Sequence, residues 1–124
     1  MLNPASPLPL KDPTLLRQAN CIDGKWVQAD SGRTLVVKNP ATDEPIGEVP
    51  ALGAAETRRA IEAAARALPA WRAKLAKERG AILRKLSDLM LDNPDDLAII
   101  MTAEQGKPLA ESKGEIAYAA SFID

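Results

Sequence analysis

A glycine and a proline two residues apart, Gly106 and Pro108, divide an otherwise continuous helical pattern. Gly106 can take the left-handed conformation that ends a helix, and Pro108 has its φ set for the first residue of the next. The chain must therefore turn between two helices here and cannot run on as one rod. Upstream, Leu97, Ile100 and Met101 recur at helical spacing as an inner face. Downstream, a helix from Pro108 turns Leu109, Ile116, Ala119, Ala120 and Ile123 inward, with Gly114, Ala117 and Ser121 as a flank of small residues suited to close packing.

The preceding segments are helical too. Asn93 reads as an N-cap, with Pro94 at the first position and Asp95 and Asp96 facing the positive helix end. Before it, Ile82, Leu83, Leu86, Leu89 and Met90 form the stripe of one helix, and Ile61, Ala64, Ala65, Leu68 and Trp71 that of another. Arg58, Arg59, Glu62 and Arg66 take the opposite face, and Pro69 is expected to end or kink the helix.

The earlier part of the chain is β-prone. Cys21 to Val27 carry Asp23-Gly24 between two short segments, a hairpin signature. Thr34–Lys38 is β-branched and apolar, residues 39–44 have turn chemistry, and residues 45–49 make the return strand. Asp12-Pro13 reads as a cap and first residue of a short helix through Leu15, Leu16 and Arg17. The expected organisation is a leader with a short helix over residues 1–18, an antiparallel hairpin layer over 19–50 and a helical segment over 51–124, all in one partial domain. The fold class is α+β.

Composition narrows the function. The apolar fraction is 46% but aromatics are only 3%, and much of the rest is alanine, so any core is thin. Net charge is −1 with the two signs interspersed, which argues against a nucleic-acid partner. No run reaches transmembrane length, so a membrane is not expected as a partner either. There is no histidine, which excludes histidine triads and the usual zinc sites within the chain. The lone Cys21 permits no internal disulfide and fits a cytoplasmic setting.

Few residues invite a chemical role. Cys21 lies in the first hairpin with no base near it in sequence, and reads as a small, half-buried strand residue. The glycines never form a dinucleotide-binding fingerprint after a strand. Glu104 shares the apolar face of Leu97 and Met101. It is either a half-exposed carboxylate at a helix end or an acid tied to the strand at residues 36–39. An acid on an apolar stripe is costly without a partner, so it is expected to face that hairpin and accept hydrogen bonds or hold a cation. Lys107 reads as a surface charge and Phe122 as core packing.

Five blocks in order carry a likeness to a known family: Ile22-Asp23-Gly24-Lys25-Trp26; Asn39-Pro40-Ala41-Thr42 with Ile46-Gly47-Glu48-Val49-Pro50; Ala60-Ile61-Glu62-Ala63-Ala64 leading to Trp71-Arg72; Ala76-Lys77-Glu78-Arg79 with Ile82-Leu83-Arg84; and Glu104-Gln105-Gly106-Lys107-Pro108-Leu109-Ala110-Glu111 followed by Lys113-Gly114-Glu115-Ile116 and Tyr118-Ala119-Ala120-Ser121-Phe122. Together they resemble the start of aldehyde dehydrogenases, above all the succinate-semialdehyde dehydrogenase branch and its glutarate-semialdehyde relatives. The chain departs from the family at Asp43, where a turn glycine is usual, and at Leu75, where a threonine or serine often caps the helix; that lost cap costs about 1 kcal/mol.

The resemblance implies that this is the first part of a longer NAD(P)-dependent enzyme, α/β when intact, that oxidises succinate semialdehyde to succinate. It implies no catalytic and no cofactor-binding residue in this stretch, because the family's nucleophilic cysteine and nucleotide-binding strands lie further on. It also implies a structural monovalent cation between Val37 and Glu104. The chain alone is then expected to bind no cofactor, to be inactive, and to pair with the remainder of the same enzyme or with itself. A reading from another class is a non-catalytic scaffold or interaction piece.

Overall fold

The computed structural model describes residues 8–123. The first part of the expected leader, with Pro4 and Pro7, lies outside the described residues, as does Asp124.

The first hairpin pairs β1 (Asn20–Ile22) with β2 (Lys25–Val27), Cys21 opposite Trp26 and Ile22 opposite Lys25. Asp23 and Gly24 both have positive φ, 54° and 71°, the backbone that a two-residue turn needs to match the strand twist. The second pairs β3 (Thr34–Lys38) with β4 (Pro45–Pro50), with an irregularity between Val37 and Lys38. Its turn is closed by Asn39, whose N–H donates to Glu44 O at 2.9 Å while its own carbonyl accepts from Asp43 N at 2.8 Å. Asp43 holds φ at 59°, as the aspartate-for-glycine departure requires, and receives Lys38 Nζ at 2.9 Å. The antiparallel hairpin layer expected over residues 19–50 is present as two separate two-stranded sheets. The reason lies in the linking loop. Gly32 N turns back to Ala29 O, and Asp30 N donates to Glu56, so the loop is drawn onto a helix and the strands on either side do not pair.

Four helices follow: α1 (Ala54–Ala73), α2 (Ala76–Asp92), α3 (Pro94–Gln105) and α4 (Leu109–Ser121). Their ends correct several expectations. Pro69 does not end α1, which continues to Ala73. Proline's fixed φ is helical, and so near the C-terminus its missing N–H removes one bond and leaves little helix to disrupt. Leu75 gives α2 no side-chain cap, as anticipated, but Glu78 accepts Leu75 N at 2.8 Å and Arg79 donates to Lys74 O at 2.6 Å. Asn93 does not cap α3 with its side chain. Its amide donates to Leu89 O at 2.9 Å, closing α2 instead. Pro108, at ψ 140°, stands just outside α4 and not within it. The short helix after Asp12 is a single 3₁₀ turn, Pro13–Leu15, capped by the Asp12 carboxylate on Thr14 N. Gly106 behaves as expected, with φ 83° and its N–H on Thr102 O.

α4 packs against α3 and α2, and α3 also touches β3, while α1 rests on β1. The buried apolar side chains of the described residues are Ala29, Ile46, Pro50, Ala63, Ala98, Ala103, Ile116 and Ala120, mostly alanine, so the core is thin. Two hydroxyl contacts bind its helices. Ser87 Oγ donates to Ala120 O at 3.1 Å, and Thr102 and Ser112 hydroxyls meet at 2.8 Å. The stripes expected to face inward are largely open: Ile61, Leu68, Ile82, Leu83, Leu86, Leu89 and Leu109 are exposed, as are Ala64, Ala65, Ala119 and the flank Gly114, Ala117 and Ser121. Periodicity marks a face that can be buried, but among the described residues no layer lies against these faces.

Candidate functional site

Glu104 reaches the second hairpin because Gly106 ends α3 against Pro40, in the turn that joins β3 to β4. With Gln18, Val37, Ile46, Gly47 and Glu48 it lines a recess of about 10 Å³, room for one water-sized particle. Val37 lies opposite Gly47 in the ladder. Gln18 closes another side: its Oε1 accepts Glu48 N at 2.8 Å, and a Cβ on Gly47 would come within 2.9 Å of that oxygen. The structure thus brings Val37 and Glu104 to one recess. It does not give Glu104 the expected hydrogen bond to residues 36–39: the side chain is exposed, and none of the described residues hydrogen-bonds its carboxylate. The recess, which Arg17 also lines, offers one free carboxylate and no cluster of three metal-binding side chains among the described residues, a donor set too sparse for a divalent ion.

Cys21 is exposed on β1 and not half-buried. It borders an open cavity of about 330 Å³ floored by Ala60, Ala63, Ala64 and Ala67 of α1. The nearest carboxylate in sequence, Asp23, is 3.7 Å from Arg66, and Trp26 across the ladder carries Arg17 over its ring at 4.7 Å. Nothing in that arrangement is a base aimed at the thiol. Lys107 is not a free surface charge, because its side chain is 17% exposed and paired with Glu115. Phe122 is not core packing: it is 72% exposed and stacks edge-on against Tyr118 at 4.7 Å. A core of alanines leaves no slot for a ring at the end of α4.

Four acids hold the parts together, and reading by stripe passed over most of their roles. Glu56, 5% exposed, accepts Asp30 N and Gly53 N, both at 3.0 Å. These donors, the Asp30 N–H first, hold its carboxyl below the usual range. The signature was Gly53 followed three residues later by Glu56 at a helix start. Asp30 in turn takes Arg59 through two bonds of 2.7 and 2.8 Å, which lower its pKa. Asp95 is lowered by Lys113 and then by Lys11. Asp96, 4% exposed, accepts Lys11 N at 3.0 Å and Asp12 N at 2.8 Å, a tie across more than eighty residues that no local pattern announces.

Comparison with known proteins gives this architecture a family. Residues 26–124 match the sequence model of the aldehyde dehydrogenase family. The chain is 67% identical over 115 residues to the glutarate-semialdehyde dehydrogenase of Pseudomonas aeruginosa, covering 93% of this chain and 24% of that protein. It is 58% identical over 115 residues to the NADP(+) succinate-semialdehyde dehydrogenase of Escherichia coli, again covering 93% and 24%. Against the crystal structure of succinate-semialdehyde dehydrogenase from Burkholderia pseudomallei the TM-score is 0.90 at 62% identity, over 92% of this chain and 24% of that one. The chain therefore spans about a quarter of the length of the curated relatives it matches. A family model matched from β2 through all four helices, and a relative 67% identical over 93% of the chain, agree on one assignment: the chain belongs to the aldehyde dehydrogenase family.

Proposed function

We propose that this chain is the N-terminal part of an NAD(P)-dependent dehydrogenase that oxidises the semialdehyde of a short dicarboxylic acid to the diacid. The observation that carries the reading is the 67% identity, over 93% of the chain, to a glutarate-semialdehyde dehydrogenase. Succinate semialdehyde, the substrate expected from the Glu104–Ile116 block, and glutarate semialdehyde differ by one methylene and share the terminal carboxylate. The chain's part in such an enzyme is structural. It supplies no nucleophile, since Cys21 sits exposed with no base beside it, and the nicotinamide would supply the hydride acceptor from beyond residue 124. Cytoplasmic location is part of the same reading and rests on the lone, unpaired cysteine.

The test joins the chain in frame to the sequence that follows it in its own gene. NADH and NADPH formation are measured with succinate semialdehyde, glutarate semialdehyde and a neutral aldehyde of similar length. Turnover preferring a semialdehyde supports the proposal; preference for the neutral aldehyde, or no turnover with any, overturns it. The 124-residue chain alone should form no reduced cofactor. Activity of that chain that disappears in Cys21→Ala would contradict the structural role.

The reading extends to the recess between α3 and the second hairpin. One free carboxylate beside Val37, with room for a single small particle, would take a bare monovalent cation whose remaining waters lie in the solvent outside the recess. Thermal unfolding of the joined protein should then depend on whether sodium, potassium or choline is the counter-ion, and Glu104→Gln should remove that dependence. Equal melting in all three salts overturns the cation.

A further inference from the structure

We infer that residues 8–12 form a releasable strap, latched by Asp96 across the start of α3. The segment is bracketed by Pro9 and Pro13, which have no N–H to give. Between them lie three donors. Leu10 N turns back on Leu8 O at 2.9 Å. The other two, Lys11 N and Asp12 N, both go to the Asp96 carboxylate, one to each oxygen, at 3.0 and 2.8 Å. Every backbone N–H from Leu10 to Asp12 is thereby accounted for, and two of the three depend on one side chain. Because a single carboxylate accepts both, the two bonds open together.

The neighbouring ion pairs are of a different kind. Lys11 Nζ lies 3.3 Å from Asp95 and Lys113 Nζ 2.8 Å from it, but the Lys11 side chain is 82% exposed and that of Asp95 45%. Such pairs contribute little and are screened by salt. Asp96 is 4% exposed, so its bonds to the strap are shielded. Leu8 and Leu10 are only half-buried, and among the described residues the strap pairs with no strand. The tie of Lys11 and Asp12 to α3 is therefore a local, charge-assisted latch. Beside it lies an open cavity of about 150 Å³ lined by Lys11, Asp12 and residues 92–96.

Residue-resolved hydrogen exchange on the 124-residue chain tests this. The amides of Lys11 and Asp12 should be protected, yet exchange at least about tenfold faster than those of Ala98 and Ala103 inside α3, because the strap opens without the fold. Raising salt to about 1 M should leave their protection in place, since the latch is shielded. Asp96→Asn should abolish it at both positions together while Ala98 and Ala103 stay protected. Exchange at Lys11 and Asp12 matching that of Ala98, absence of protection, release by salt, or retained protection in Asp96→Asn each overturns the strap. If Asp96→Asn does not fold, the wild-type comparison of strap and α3 amides decides alone.

Discussion

A Cβ placed on Gly106 would lie 3.0 Å from Cγ of Pro40, so the residue that ends α3 also seats it on the second hairpin. Gly106 holds φ at 83°, a conformation that costs a side-chain-bearing residue about 1–2 kcal/mol. Gly106→Ala meets both penalties. Urea unfolding should show a loss of about 1–3 kcal/mol with an unchanged slope. An unchanged midpoint would mean that α3 is not held through this contact.

The hydroxyl pair between α3 and α4 should behave as a unit. Ser112 is fully buried and its hydroxyl meets that of Thr102 at 2.8 Å. Ser112→Ala strands the Thr102 hydroxyl at a cost of about 1–2 kcal/mol. Adding Thr102→Val removes the stranded group, so the double variant should lose less than the two single losses added. Simple additivity in chemical denaturation would show that the two hydroxyls do not depend on each other.

Glu56 makes part of the stability acid-sensitive. Its folded pKa lies below the ordinary 4.5 because the Asp30 and Gly53 N–H groups bind the charged form. A group whose folded pKa is lowered contributes stability above its unfolded value and loses it as pH falls through the folded one. The contribution is therefore complete above about pH 4.5 and disappears below it. Glu56→Gln should be less stable than wild type at neutral pH and lose less on acidification. Parallel stability curves for the two proteins down to about pH 3 would contradict the assignment.

The open apolar faces should drive the isolated chain to self-associate. Leu86 and Leu89 stand 47% and 50% exposed on α2, and Ile61 and Leu68 are 64% and 54% exposed on α1. Sedimentation at about 10–100 μM should give a mass above the 13.3 kDa of one chain. Leu86→Asp with Leu89→Asp should restore the monomer. A wild-type monomer across that range would refute the expectation.

Local chemistry was the most legible part of this chain. Asp23-Gly24, Gly106 and Asp12-Pro13 announced a hairpin, a helix end and a capped turn, because each depends on the φ preference or side chain of one or two residues. The errors arose where a non-local partner decides. Asn93 had the right side chain for an N-cap, but its amide donates back to the carbonyl of Leu89 and its oxygen makes no cap bond to α3. The stripes of α1 and α2 marked amphipathic helices correctly, yet periodicity does not say what, if anything, lies against the face. Glu104 was placed beside the second hairpin by its position on α3, whereas its lack of a hydrogen-bonding partner depends on the backbone opposite. The Asp96 tie lay beyond pattern reading because its donors are backbone groups, the same in every sequence.

Both ends of α3 are occupied by the earlier part of the chain: Asp96 by the N–H groups of Lys11 and Asp12, Gly106 by Pro40. α1 leans on β1, while α2 and α4 pack within the later part. The link at Lys74-Leu75 therefore joins two pieces that already recognise each other through one helix. A chain cut at that link should behave as a complementing pair, with residues 1–74 reading the two ends of α3 and residues 75–124 presenting them. The covalent connection between the halves sets their local concentration, and the geometry of their meeting is written at Asp96 and Gly106.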